Sequence, residues 1–244
     1  MTQISNVLWL TVSPSLKRFD QRLIGQLASQ AEVRCWEYRQ TEDEPCCVET
    51  AITLLHDYLK QCDRPMHLLG HGISGAIGLL YARYYPHRVQ SLTLLAVGAN
   101  PAVSWHAHYY ALRQFLPCSR AIILGQMARL LFGPQSYVVA AALVKALAQE
   151  LDCGFAPHSL AHHTAIAPGG IEPPLLVCQG TNDAIVDTHQ QAQWQQWLKP
   201  GDRLWQCPDS KHFFHYDYPQ RVAQEIYSYW QSLSTAAIPC RGTA

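Results

Sequence analysis

Residues able to do chemistry sit at separate points along this 244-residue chain. The first is His67-Leu-Leu-Gly-His-Gly-Ile-Ser-Gly75, where Gly72-Ile-Ser74-Gly-Ala76 has a small-x-Ser-x-small spacing that would let a hydroxyl sit on a tight turn. The run is not a phosphate loop, because the Lys–Ser/Thr pair that grips phosphate is missing. Asp183 and His212 each follow a strand-like run. A carboxylate and an imidazole brought together can abstract a proton or activate a water. His106, His108, His158, His162 and His163 invite a metal reading. His158 and His162 have the helical i, i+4 spacing, but no acidic residue neighbours the group, so these histidines read as ordinary polar residues. No metal and no cofactor is expected.

The elements that must position these groups follow from apolar periodicity. Strand-like runs at 6–12, 33–38, 65–71, 91–97, 175–179 and 203–207 alternate with helical patterns at 19–30, 48–59, 188–198 and 219–232. That alternation predicts βαβ units and a mainly parallel sheet of about six strands. Between Gly98 and about Ala167 the strand pattern vanishes. Helical patterns at 109–115, 121–131 and 137–151 replace it, broken by Gly133–Pro134. An all-helical insertion between sheet strands is expected to lie over the strand ends, where open α/β sheets bind ligands. Residues 1–98 and 168–244 then form the core and 99–167 a helical lid, with a frayed tail over 235–244.

Hydrophobic residues make up 48% of the chain and charged ones 15%, with 18 basic and 18 acidic side chains and no net charge. That balance, without a basic run, argues against nucleic acid or an acidic membrane surface as the main partner. No apolar stretch reaches spanning length, so no membrane span is expected. Nine cysteines occur without a CxxC pair. Cys178 and Cys207 fall inside strand-like runs as small buried hydrophobes, and a reducing cytoplasm is the expected compartment.

From Pro65 through Gly72 and on to His87-Arg-Val-Gln-Ser-Leu-Thr-Leu-Leu95, the chain resembles the strand–elbow–helix of the α/β-hydrolases, in which G-H-S-x-G-G is a common form. The resemblance extends over nearly the whole chain apart from the lid. It puts Gly72 at the nucleophile position, with Ser74 where the family usually has glycine. The helix length and the position of Tyr85–Pro86 favour that register, and a shifted register would make Ser74 the nucleophile. The resemblance further implies Asp183 as the carboxylate of Leu175-Leu-Val-Cys-Gln-Gly-Thr-Asn-Asp183 and His212 as the base of Asp209-Ser-Lys-His212-Phe-Phe. His215 lies three residues off that motif. The oxyanion donors would be the amides of Ser13 and Ile73. The first-strand loop Thr11-Val-Ser-Pro14 departs from the family's His-Gly, and Pro14 has no N–H to give.

A glycine at the elbow removes the reacting oxygen and relaxes the strained turn that would present it. The reading that follows is a degenerate triad in a pseudo-hydrolase that binds a small apolar ester-like or carbonyl ligand, with Trp105, Tyr109 and Tyr110 walling the pocket. Two alternatives stand beside it. One is an active esterase-type enzyme using water activated by His212 and Asp183, or using Ser74. The other is an engineered serine-to-glycine variant.

Overall fold

The computed structural model describes residues 4–39, 47–101, 103–154 and 168–236. Residues 41–45, His158, His162, His163 and the tail beyond 236 lie outside the described residues. Six strands, β1 (Ile4–Thr11), β2 (Ala31–Glu37), β3 (Met66–His71), β4 (Val89–Leu95), β5 (Leu175–Gly180) and β6 (Arg203–Cys207), form one sheet in the order β2-β1-β3-β4-β5-β6. Every pairing is parallel. β3 and β5 are buried along nearly their whole length, which is why they read as continuous apolar runs rather than alternating ones.

The order reverses between β1 and β3, because β1 is followed outward by β2 and the chain then crosses back to β3. The carboxyl ends of β1 and β3 therefore flank the switch point, where open α/β sheets place their ligand crevice. Helices α1 (Gln21–Leu27), α2 (Val48–Leu59) and α3 (Ile73–Tyr84) follow the first three strands. After β5 come α7 (Thr188–Trp194), and after β6 the single turn α8 (Phe214–Asp217) and α9 (Pro219–Ala236). One face of the sheet packs Leu8, Leu10, Leu68 and Leu92 against α2 and α3 through Leu55, Ile77 and Tyr81. The other packs Trp9, Leu69 and Leu176 against α1 and α9 through Leu23, Val222 and Trp230. Burial pushes the Cys178 thiol well above its ordinary pKa, so it behaves as an inert hydrophobe.

Between β4 and β5 the chain forms α4 (Trp105–Phe115), α5 (Arg120–Phe132) and α6 (Tyr137–Cys153). Ser104 and Ser119 cap α4 and α5 by accepting from the amides of Ala107 and Ile122. The Ser104 cap starts α4 earlier than the apolar pattern alone suggests. The three helices share their own apolar cluster, which includes Leu124, Met127, Leu131 and Leu147, and it joins the core through Leu16, Phe19, Ile185 and Phe213. Among the described residues no single helix is long and apolar enough to cross a membrane.

The contact on which the site depends is between the end of β3 and the start of α3. A Cβ on Gly75 would lie 2.6 Å from the Gly70 carbonyl oxygen and 2.7 Å from Val97 Cγ2, and one on Gly70 would lie 2.6 Å from the Gly75 nitrogen. Both partners are backbone, so neither can swing away. Gly75→Ala is expected to lower unfolding free energy by at least about 2 kcal/mol, measured by urea denaturation against wild type. A change within a few tenths of that unit would show that the strand and helix can separate freely.

Candidate active site

Gly72 ends β3 and caps α3. Its amide still donates to Leu95 O at 2.8 Å in the sheet, and its carbonyl already accepts from Ala76 N at 3.0 Å in the helix. Switching from strand to helix within one residue forces φ to +52° and ψ to −124°, a conformation that L side chains rarely adopt. Glycine takes it without a Cβ penalty. The direction of the missing side chain is nevertheless fixed: a Cβ there would point into the site, 4.0 Å from His212 Nε2. A hydroxyl one bond further out would fall within hydrogen-bond reach of that nitrogen.

His212 and Asp183 meet behind this point. His212 Nδ1 lies 2.8 Å from Asp183 Oδ2, with both side chains almost fully buried. The carboxylate can only accept, so Nδ1 carries the proton and Nε2 is left with a lone pair facing Gly72. Asp183 is itself held by the amides of Ile185 and Val186, which donate to Oδ1 at 2.8 and 3.2 Å. His71 fixes the loop from the other side by donating Nε2–H to the His212 carbonyl at 3.1 Å. Burial, with His215 and His212 as neighbours, drives the His71 pKa well down, so His71 is neutral.

Ser74 is not presented to His212. It lies in the first turn of α3, and its Oγ accepts from the Val12 amide at 3.0 Å. The positive φ belongs to Gly72 and not to Ser74. The Ser74 hydroxyl instead ties the loop after β1 to the start of α3.

Two narrow voids flank Gly72. One, of about 10 Å³, is lined by Gly72, Ile73, Trp105, His106 and His212 among others. The other, of about 20 Å³, includes Ser13, Asp20, His71, Ile73 and Ser74 in its lining. Each is the size of one or two waters. Ser13, Ile73 and Asp20 thus border the same void.

Of the aromatic residues expected to wall a pocket, only Trp105 lines these voids. Tyr109 is buried in the cluster of the inserted helices, its hydroxyl accepting from Arg113 at 3.0 Å. Tyr110 is 44% exposed. The reason is helical geometry: Trp105 and Tyr109 share a face at i, i+4, while Tyr110 is rotated away from it.

Sequence reasoning missed several residues of this region. Asp20 accepts from Trp9 Nε1 at 3.1 Å and pairs with His215 Nε2 at 3.0 Å, a second buried His–Asp pair. No spacing signals it, because the two residues are 195 positions apart. His106 is buried at the void, whereas His108 is only half-buried. Glu150, on α6, is buried beside the loop that carries Ser13 and Ser15. No group of His, Cys, Asp or Glu among the described residues is arranged to hold a metal ion.

This architecture is shared with known proteins. A model of the "Alpha/beta hydrolase family" matches residues 18–225. The chain belongs to that family. It is 43% identical over 227 residues to Uncharacterized protein sll0249 of Synechocystis sp., covering 93% of this chain and 90% of that one. To Uncharacterized protein alr2406 of Nostoc sp. it is 42% identical over 231 residues, covering 95% and 92%. Among solved structures it resembles a candidate lipase of Acinetobacter baumannii, with a TM-score of 0.75, 18% identity and coverage of 96% and 86%. It also resembles a bromoperoxidase of Bacillus anthracis, with a TM-score of 0.68, 14% identity and coverage of 94% and 92%. At such identities the structural likeness shows the α/β-hydrolase fold alone.

Burial raises the Glu150 pKa to about 7, against the pull of the Ser13 and Ser15 hydroxyls beside it. The folded state therefore keeps this proton at pH values where the unfolded chain, with the ordinary glutamate value of 4.5, has released it. The stability this gives is fully present below pH 4.5 and is lost as pH rises through about 7. Glu150→Gln, which keeps the shape and removes the charge, is expected to flatten that decline. It should be more stable than wild type at pH 8, by roughly 1–3 kcal/mol in denaturant titrations. Parallel pH profiles for the two proteins would contradict the assignment.

Proposed function

We propose that this α/β-hydrolase-fold protein binds a small, mostly apolar ester-like or carbonyl ligand over Gly72 and forms no acyl-enzyme. The observation that carries this reading is the Gly72 Cβ direction, aimed at a lone-pair nitrogen 4.0 Å away with no side chain to fill the gap. The acid–histidine pair keeps hydrolase geometry, while the atom that would attack a carbonyl is missing. Asp20 beside Ser13 and Ile73 supports the same reading, since a developing oxyanion would meet a negative charge there. Core segments 1–98 and 168–244 carry the site, and the helical segment 99–167 acts as its lid, with Trp105 closing over Gly72. The ligand enters when those helices move, because the voids as they stand hold only water.

One feature favours a second reading. The void beside Gly72 is water-sized and borders His212, so a water there is placed for deprotonation by Nε2 and direct attack on a bound ester. This chemistry needs no covalent intermediate.

Fluorophosphonate labelling and p-nitrophenyl butyrate turnover test both readings. The proposal expects no label and no burst on wild type, and labelling of Gly72→Ser at the new residue. Serine at φ +52° is strained, so Gly72→Ser should also lose about 1–3 kcal/mol of stability. Slow turnover without a burst, abolished by His212→Ala and by Asp183→Asn, would favour the water mechanism. Labelling of wild type at Ser74 would overturn both.

A further inference from the structure

Net neutrality conceals a strong segregation of charge. No Asp or Glu occurs between Asp63 and Glu150, whereas Arg113, Arg120, Arg129 and Lys145 all fall within the inserted helices. Arg120 is paired with Asp152 at 2.6 Å, but Arg113, Arg129 and Lys145 stand exposed.

The same helices expose most of the molecule's large apolar surface. Phe115 is 78% exposed, Ile122 62%, Tyr137 88% and Val138 77%, and Leu116 and Val139 are exposed with them. Two of these residues, Ile122 and Tyr137, line one groove together with Arg129. Phe115 ends α4 and Leu116 follows it, Ile122 lies in the first turn of α5, and the groove, of about 480 Å³, runs between α5 and the start of α6. Scattered exposed apolar residues need no explanation, but six of them on three packed helices, in a segment without an acid before Glu150, do.

We propose that this outer face of the inserted helices docks on the surface of an anionic phospholipid bilayer. Apolar side chains that enter the interface, ringed by cations that meet lipid phosphates, are the two signals that peripheral binding requires. Charge decides between this occupant and a second copy of the chain. A two-fold contact through the groove would set Arg129 near its own copy, and no acidic residue lines the groove to offset it, which disfavours self-association. The helices lie on the bilayer and do not cross it. α5 and α6 together are apolar enough to span, yet they meet at 105°, and Leu124, Met127 and Leu131 are committed to the inner cluster. The expectation from net charge, which disfavours an acidic membrane surface, rests on a sum over the chain and does not register where the charges lie.

Co-sedimentation of the full chain with vesicles tests the proposal. Binding is expected with phosphatidylcholine vesicles containing phosphatidylglycerol, should be much weaker with phosphatidylcholine alone, and should fall with added salt. Arg129→Gln should weaken binding about fivefold, and Phe115→Ser or Val138→Asp by roughly tenfold or more. Lys60→Gln, on α2, should leave it unchanged. All of these side chains are exposed, and unchanged melting temperatures would confirm that the variants fold. Equal sedimentation with both vesicle types, or binding insensitive to Arg129→Gln and Phe115→Ser together, would overturn the proposal. So would a lipid-free dimer that Val138→Asp dissociates, which would assign the face to a protein contact.

Discussion

The structure turns on one close approach, between the end of the central strand β3 and the helix that starts from it. Gly70 and Gly75 bring the two backbones nearer than any side chain permits. The chain must then reverse within a single residue, and Gly72 takes the positive φ that this demands. The direction in which residue 72 would project a side chain follows from that reversal and not from the residue's identity. The site keeps its geometry although no reacting atom stands there. Glycine meets this positive φ without the strain that a Cβ would carry there.

The rest of the site is built by holding His212 in place against that fixed point. Asp183 sets its tautomer, the amides of Ile185 and Val186 hold Asp183, and neutral His71 holds the His212 carbonyl. The loop after β1 is tied to the helix by Ser74, whose hydroxyl takes up the Val12 amide. In this chain the serine near the elbow therefore braces the loop. Asp20, secured by Trp9 and His215, adds a negative charge to the other side of Gly72.

The inserted helices join this site to the surface. Trp105 and His106 at the start of α4 border the void beside Gly72, and the far end of the same helix carries the exposed Phe115. A contact made by the outer face is thus one helix length from the site. Movement of these helices would also disturb Glu150, whose buried carboxyl lies against the Ser13 loop.

The sequence by itself determined the fold class and the frame of the site. Local pattern sufficed because fully buried parallel strands are short apolar runs, and the helices between them show a 3.6-residue period. The glycine-rich elbow and the chain order Gly72, Asp183, His212 were legible for the same reason: each sits next to an element whose pattern is strong. Only the tertiary structure decided that residue 72 takes the positive φ, since that depends on a backbone contact between Gly70 and Gly75. It also decided the role of Ser74, the exclusion of Tyr109 and Tyr110 from the voids, and the Asp20–His215 pair. Those depend on which faces meet after packing. Partners 195 residues apart leave no trace in periodicity or spacing, and a net charge carries no information about where on a surface the charges stand.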